Sequence, residues 1–513
     1  MKRILCLILC TVLLLCLFPG CHEQKDPYVP TGNGLAGNDG GSVVTPPVQE
    51  LERATLVYDP QATLNPYQCM SYVNRTLFSL LYQGLFAVDR EYRVSPILCE
   101  SYNVSADMKT YTFYVADALF SDGTALTAED VAASLKAAQT SPWYGGRLRH
   151  VSDVRVYGDA VMVELSIPLE NLPLLLDVPV VKASQVQHDA PMGSGPYRLN
   201  GNQLRHQAGW WCSSAISISA DTIELVEGST PAQVRDCFEL LNASLVCTDP
   251  SDIDQVDYHS DYELWDCENG LFVYLACNSA SEIFSNDAVR AALTHAIDRD
   301  MLTEEHYRGF ARSALLPASP QFPHYDDILA SNYRYAPEQF RNALKDAGLE
   351  GSEVVLLVNG DDAIRVKVAE AIAEMLEKCG LVVTIRESTT KDFAADLQNA
   401  VKDKKATYDL YLAQTRLSPN MDLSAFFGTD TALNYGGLSR PGIYADSLEA
   451  LANHGNYYTL YEMIMDDGLL CPLLFQSYAI YGQRGALGRL EPARDAVLYY
   501  DLGRTMEDAL ITE

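Results

Sequence analysis

Along the chain, apolar positions recur with two periods. Thr110 to Val115 (TYTFYV) alternates small polar with large residues, the pattern of a strand with one buried face. Asp122-Gly123 marks a turn. Thr127, three residues before Asp130, is spaced as an N-cap answered from the first turn, which predicts a helix from Ala128. Ala54 to Tyr58 (ATLVY) predicts the first strand of the folded part, and Val151 to Pro168 predicts a strand pair joined at Gly158-Asp159. Asp221 to Asp254 reads as strand, helix, strand, and Phe272 to Asn278 (FVYLACN) as an apolar strand. Asn286 to Leu302 places Val289, Leu293, Ala296 and Ile297 on one face and predicts a single amphipathic helix. Pro337 to Leu349 predicts a helix, Val366 to Ile385 a helix and strand, Tyr408 to Gly428 a strand, loop and helix start, and Leu469 to Gly482 a returning strand. Strands alternating with helices predict an α/β chain, and no repeat with a period of about 20–50 residues is present.

The N-terminus has a different pattern. Lys2-Arg3 precedes an almost unbroken apolar run from Ile4 to Phe18, which reads as a secretory leader over residues 1–20 and is short for a spanning helix. Gly20-Cys21 resembles the lipobox junction of bacterial lipoproteins, with Phe18 and Pro19 departing from the usual residues, and implies lipidation of Cys21. His22 to Glu50 is rich in Gly, Pro, Asn and Ser and reads as a flexible tether, giving a lipidated linker over 21–52.

At 513 residues the chain exceeds one compact core. A formal charge of −31 argues against a nucleic-acid partner. Thirteen cysteines include Cys6, Cys10 and Cys16 in the leader and Cys21; the remaining nine are scattered and odd in number, so they form no disulfide framework. No P-loop, H-E-x-x-H, G-x-S-x-G or G-x-G-x-x-G occurs, so no enzyme activity, cofactor or resident metal is expected. Asp252 to Glu263 places acids at positions 1, 3 and 12 of a calcium loop but lacks the Gly at 6 and the oxygen ligand at 5, and reads as a solvated acidic loop. Trp210-Trp211 reads as packing rather than a stacking platform.

The wording of several of these segments resembles family 5 of the extracellular solute-binding proteins, the peptide-binding components of ABC importers. FSDGTALTAEDV (Phe120 to Val131) matches the family's signature almost position for position. TLNPY (Thr63 to Tyr67), LLYQGLFAVD (Leu80 to Asp89), MGSGPYRL (Met192 to Leu199), FVYLACN and NDAVRAALTHAIDRDML resemble further family segments in the same order. The resemblance implies a two-lobed periplasmic-binding-protein-like α/β fold (type II, cluster C) with an extra subdomain in the first lobe. Lobe one is expected over 53–271, with the subdomain at about 90–160, lobe two over 272–475, and a return to lobe one over 476–513. It implies capture of a peptide or peptide-like solute in the interlobe cleft and delivery to an ABC permease by a monomer anchored outside the cell membrane through its lipid. A sensor or chaperone on the same scaffold, or binding of a nickel complex or small anion, remain alternatives.

Placement within that scaffold implies cleft residues Asn65, Met70, Ser71 and Tyr72 on lobe one and Asn359, Gln414, Arg416, Asn420 and Tyr435 on lobe two. In peptide-binding relatives, an acid early in the loop equivalent to Gln414–Asp422 pairs with the ligand amine. Here that loop reads QTRLSPNMD, with no acid in its first half and Arg416 near the expected position. Arg416 presents a planar fork suited to a carboxylate or phosphate, and the expectation is that it holds an anionic ligand group; the alternative is an Arg paired to a neighbouring Asp or lying in solvent. Asp422 is either an amine ligand or a helix cap, and DLSAFF favours the cap.

Overall fold

The computed structural model describes residues 54–214, 220–250, 257–403 (backbone only for 399–403), 407–484, 490, 492–495 and 498. The leader, Cys21 and the tether lie outside them, as do residues 252–256 of the acidic loop.

Most of the expected elements form where the pattern places them. In chain order they are β1 (Ala54–Tyr58), β2 (Cys99–Val104), β3 (Thr110–Val115), α1 (Ala128–Gln139), β4 (Val151–Tyr157), β5 (Ala160–Leu165), β6 (Tyr197–Leu199), β7 (Gln203–His206), β8 (Thr222–Glu227), α2 (Pro231–Glu239) and β9 (Leu245–Thr248). There follow β10 (Tyr262–Cys277), α3 (Asp287–Ala292), β11 (Ala311–Ser313), α4 (Pro337–Ala347), β12 (Glu353–Asn359), α5 (Ala363–Lys378), β13 (Val382–Ser388), β14 (Leu410–Arg416), α6 (Pro441–Ala452), α7 (Tyr457–Asp467) and β15 (Leu470–Gln483). The α1 start is secured as the spacing predicts. Asp130 Oδ2 accepts from the Thr127 amide (2.9 Å) and hydroxyl (2.8 Å), while Oδ1 accepts from Ala183 N at 2.7 Å, tying the helix to a distant loop.

One mixed sheet runs β13-β12-β14-β10-β15-β9-β1-β8-β7-β6, with β11 paired to β15. A separate four-stranded antiparallel sheet, β2-β3-β5-β4, forms the subdomain. Two large cores flank the long strands. The first is built mainly from Ala54 to Cys267 with Tyr478, Ile480, Leu490 and Leu498. The second runs from Phe272 to Phe475. β10 and β15 pass through both: Tyr262–Glu268 pair with Ser477–Gln483, and Phe272–Ala276 with Leu470–Phe475. Between these stretches the register shifts, and Gly270 takes φ +73°, a bulge in the strands that join the lobes.

The single helix expected over Asn286–Leu302 does not form. α3 stops at Ala292, a 3₁₀ turn covers Leu293–Ala296, Ile297 is extended (φ −104°, ψ 116°) and Asp298 caps a new turn. Arg299 explains the break. Its buried guanidinium donates to the Thr294 and Ile297 carbonyls and to Pro472 O on β15, and a continuous helix would have used those two carbonyls itself.

Candidate interlobe site

Where the two cores meet, four arginines converge on aromatic rings and two carboxylates. β14 carries Arg416 to the end of the sheet, and the loop after it docks on the bulge: Leu417 N donates to Gly270 O at 3.0 Å. The Arg416 guanidinium donates to Asn269 O and to the Tyr478 hydroxyl (3.2 Å), and stacks 3.9 Å from the Trp143 ring centroid. Arg75 lies 3.5 Å from the same indole and donates to Tyr144 OH and to the Pro66 and Cys69 carbonyls. Tyr72 closes the box, edge-on to Tyr478 (5.0 Å between centroids) and to Trp143 (6.5 Å). Burial pushes its hydroxyl up to about 12, with Asp249 adding to the shift and Arg416 opposing it.

Beneath this box, Arg147 pairs with Asp177 and Asp495, and Trp143 Nε1 donates to Asp495 Oδ1 at 3.1 Å. Arg494 donates to Leu417 O across the seam and lies against Gly270, where an added Cβ would come within 2.3 Å of its Cζ. The left-handed φ of +73° is what favours a glycine at this bulge position. Burial penalises the Asp495 carboxylate, but Arg147, Arg494 and Arg416 outweigh it and hold the group well below the usual range. Burial dominates at Asp177, which is pushed up to about 6 although Arg147 opposes the shift. Glu268 accepts from Ser319 (2.6 Å) and Tyr92 (3.2 Å) and is raised by burial. The small cavity lined in part by Tyr92, Glu268, Arg494 and Asp495 measures about 20 Å³, room for one water.

The arginines differ in what balances them. Arg147 and Arg494 meet carboxylates, whereas every hydrogen-bond partner of Arg75 and Arg416 among the described residues is neutral.

Of the residues expected in the cleft, Tyr72 and Arg416 come together here. Ser71 caps the short helix that carries Tyr72, accepting from Asn74 N, and Met70 beside it is 56% exposed. Gln414 lies two residues along β14, exposed, and accepts from Gln476 Nε2 at 3.3 Å. Asn65 is buried within lobe one, donating to Val186 O and His188 O at 2.8 Å. Asn420 is buried, accepts from the Ser418 hydroxyl, and through its carbonyl accepts from Tyr457 OH. Asn359, at the end of β12, bonds to Thr390, and Tyr435 packs on the second core with its carbonyl facing Tyr411 OH (3.3 Å). Asp422 Oδ1 accepts from Ser424 N as a cap does, but Oδ2 is taken by Arg149 and His150 of lobe one. Trp210 and Trp211 donate to Ser194 O and Gln83 Oε1, a packing role.

Arg75, Trp143, Arg147, Tyr478 and Arg494 were not singled out from the sequence. The available signal was SPWYGGRLRH (Ser141 to His150), an aromatic and basic run in an acidic chain.

The signature segments turn out to be architectural. Asp122 closes its turn on Thr124 (2.5 Å) and pairs with Lys182 (2.7 Å). Gly193 and Gly195 press on the Leu80–Tyr82 backbone so closely that a Cβ on either would meet a carbonyl oxygen at 2.2–2.5 Å.

Two α/β cores joined by two long strands, with an arginine and aromatic seam between them, define a two-lobed solute-binding scaffold. Residues 93–434 match the family of bacterial extracellular solute-binding proteins, family 5, and the chain belongs to that family. The glutathione-binding protein GsiB of Escherichia coli K12 is 25% identical over 361 residues, covering 66% of this chain and 69% of that protein. NikA from Brucella suis in complex with Fe(III)-EDTA superposes with a TM-score of 0.68 at 20% identity, covering 87% of this chain and 99% of NikA. The putative peptide-binding protein AppA from Clostridium difficile gives 0.70 at 17% identity, covering 88% and 98%. The family supplies the solute-binding components of ABC importers, so this chain is a transport protein that captures a solute and passes it to a membrane permease. No helix among the described residues is long and apolar enough to cross a membrane.

Proposed function

We propose that the protein is a monomeric lipoprotein, held at the outer face of the cell membrane through Cys21 and the tether to residue 52. It captures a peptide or peptide-like solute bearing an anionic group and releases it chemically unchanged. The moving bodies are residues 53–271 with the return over 476–513, and residues 272–475. They rotate about the bulge at Gly270, where β10 changes register against β15.

The observation that carries this reading is the Arg75–Trp143–Arg416 stack. In a chain of formal charge −31, two guanidinium groups flank one indole at the lobe boundary with only neutral partners. Asp495 acts on Arg416 only through its charge, with no hydrogen bond between them, so the donor forks of Arg75 and Arg416 meet no carboxylate directly and a ligand carboxylate would engage one bidentately. Tyr72 and Tyr478 offer hydroxyls beside it, and Gln414 and Gln476 extend the polar wall along β14 and β15. Met70 and Ser71 on lobe one, and Asn65, Asn359, Asn420 and Tyr435 further out, belong to the wider proposed lining. One relative, GsiB, is named for glutathione, a peptide that carries carboxylates.

Native mass spectrometry of the purified protein identifies the retained solute, and calorimetry then measures its affinity. Arg416→Ala is expected to lower that affinity at least about tenfold, about 1.4 kcal/mol. Unchanged binding would remove Arg416 from the site.

A further inference from the structure

A second cavity, of about 360 Å³, opens on lobe one and is lined by lobe-one residues alone. Its volume is at the lower end of the roughly 300–1,000 Å³ typical of small-molecule sites. The two architectural segments build it: the Ser121–Asp122 turn forms one wall, and the loop ending at Met192-Gly193 forms another. The interlobe reading makes no use of either. Leu64, Leu81, Tyr82 and Tyr197 provide an apolar interior, with His188 and Arg198 also in the lining. Lys182 already neutralises the Asp122 wall at 2.7 Å.

The charge at the mouth is the informative feature. β6 is the outermost strand of the sheet, and Arg198 on it stands directly opposite Arg205 on β7. Neither arginine pairs with a carboxylate among the described residues, and Arg205 donates only to the neutral Gln203 Oε1, at 3.1 Å by its Nη2. Like charges facing each other across two strands cost stability. The chain holds 68 acidic residues against 37 Lys and Arg, so an uncompensated arginine pair runs against the local balance. A single charge would serve to blunt the edge strand. Two of them beside an apolar-walled opening complement an anion with a hydrophobic body.

We propose that this cavity is a second binding site, for a small organic anion that places its apolar part against Tyr82 and Tyr197 and its carboxylate, sulfonate or phosphate group on Arg198. The site is independent of the interlobe seam. The test is calorimetric titration of the mature chain with 8-anilinonaphthalene-1-sulfonate at neutral pH. Saturable one-to-one binding is expected, weakening with added salt. Arg198→Glu should reduce the affinity at least about tenfold with a melting temperature no lower than the parent's, because the side chain is exposed and the change turns a like-charge pair with Arg205 into an opposite-charge one, and Arg416→Ala should leave the affinity intact. Absence of saturable binding overturns the proposal. Undiminished binding in Arg198→Glu does so too, leaving the arginines as edge protection, and loss in Arg416→Ala alone would assign the probe to the seam instead.

Discussion

His150 Nε2 of lobe one lies 2.8 Å from Asp422 Oδ2 of lobe two, and Arg149 Nε approaches the same oxygen at 2.9 Å. The Asp422 side chain is only 3% exposed, so this contact between the lobes is largely shielded from salt. The carboxylate that the loop sequence offered as an amine ligand is therefore already engaged across the seam. Burial works against its charge, but Arg149 and His150 outweigh it and hold Asp422 well below the ordinary carboxylate range. A depressed folded-state pKa means stability that is full above the unfolded value, about 3.9, and is lost as pH falls toward the folded one. Asp422→Asn is expected to cost about 1–3 kcal/mol at neutral pH, moderated because Arg149 keeps partial access to water. Urea unfolding at pH 7 measures the cost, and small-angle scattering should show the ligand-free variant more extended than the parent. Identical scattering profiles would mean that the pair does not hold the lobes.

Arg416 tests whether the site reads geometry or charge alone. Arg416→Lys keeps the positive charge but loses the planar fork and the face that stacks on Trp143. If stacking and a bidentate contact matter, affinity for the retained solute should fall about tenfold, about 1.4 kcal/mol, in the lysine variant as well. Calorimetry at two salt concentrations separates the contributions: a pure charge role predicts a lysine variant equal to the parent at low salt.

Much of the fold was legible because its signals are local. The alternation of Thr110–Val115, the Thr127–Asp130 cap and the Gly158-Asp159 hairpin each depend on neighbours within a few residues, and each forms. The break at Ile297 was not legible, because its cause is Arg299 reaching Pro472, 173 positions away. The seam shows the same division. Arg416 could be found from its loop, but its ring partner is Trp143, and the carboxylate below that ring belongs to Asp495 near the C-terminus. Periodicity carries no information about such pairings, and a lone arginine in a loop reads equally as solvent-exposed until the opposite lobe is in view.

The glycines of the MGSGPY segment give a prediction about packing rather than binding. A Cβ on Gly193 would lie 2.2 Å from Leu81 O and 2.5 Å from Tyr82 Cδ1, and neither backbone nor packed ring can yield cheaply. Gly193→Ala is therefore expected to destabilise by about 3 kcal/mol, the upper end of ordinary overpacking. Gly123→Ala is the control. Its φ of +81° is strained for alanine, but nothing lies within 4 Å, so only about 1 kcal/mol is expected. Chemical denaturation of the two variants should rank them in that order; the reverse order would mean that the Leu80–Tyr82 backbone relaxes.

A second cross-lobe contact should respond to acid. Glu170 of lobe one accepts from His454 N of lobe two at 2.7 Å, and its own amide donates to Leu451 O at 2.9 Å. His454 lies 4.8 Å, ring to ring, from His324, which stacks on Tyr457 at 5.3 Å. Burial lowers both imidazoles; His454 further lowers His324, while Glu170 partly offsets the shift in each. Below the ordinary histidine value of about 6.5 the unfolded chain takes up protons that the folded pair resists, so this contribution is intact above that pH and is lost as pH falls toward the lowered values. The melting temperature should therefore drop between about pH 7 and 5, and His324→Phe, which keeps the stack on Tyr457 and removes one of the two protonation sites, should make that drop shallower. Scanning calorimetry across the range decides the matter: a variant whose melting temperature falls as steeply as the parent's would place the acid sensitivity elsewhere, with the buried carboxylates of the seam as the next groups to test.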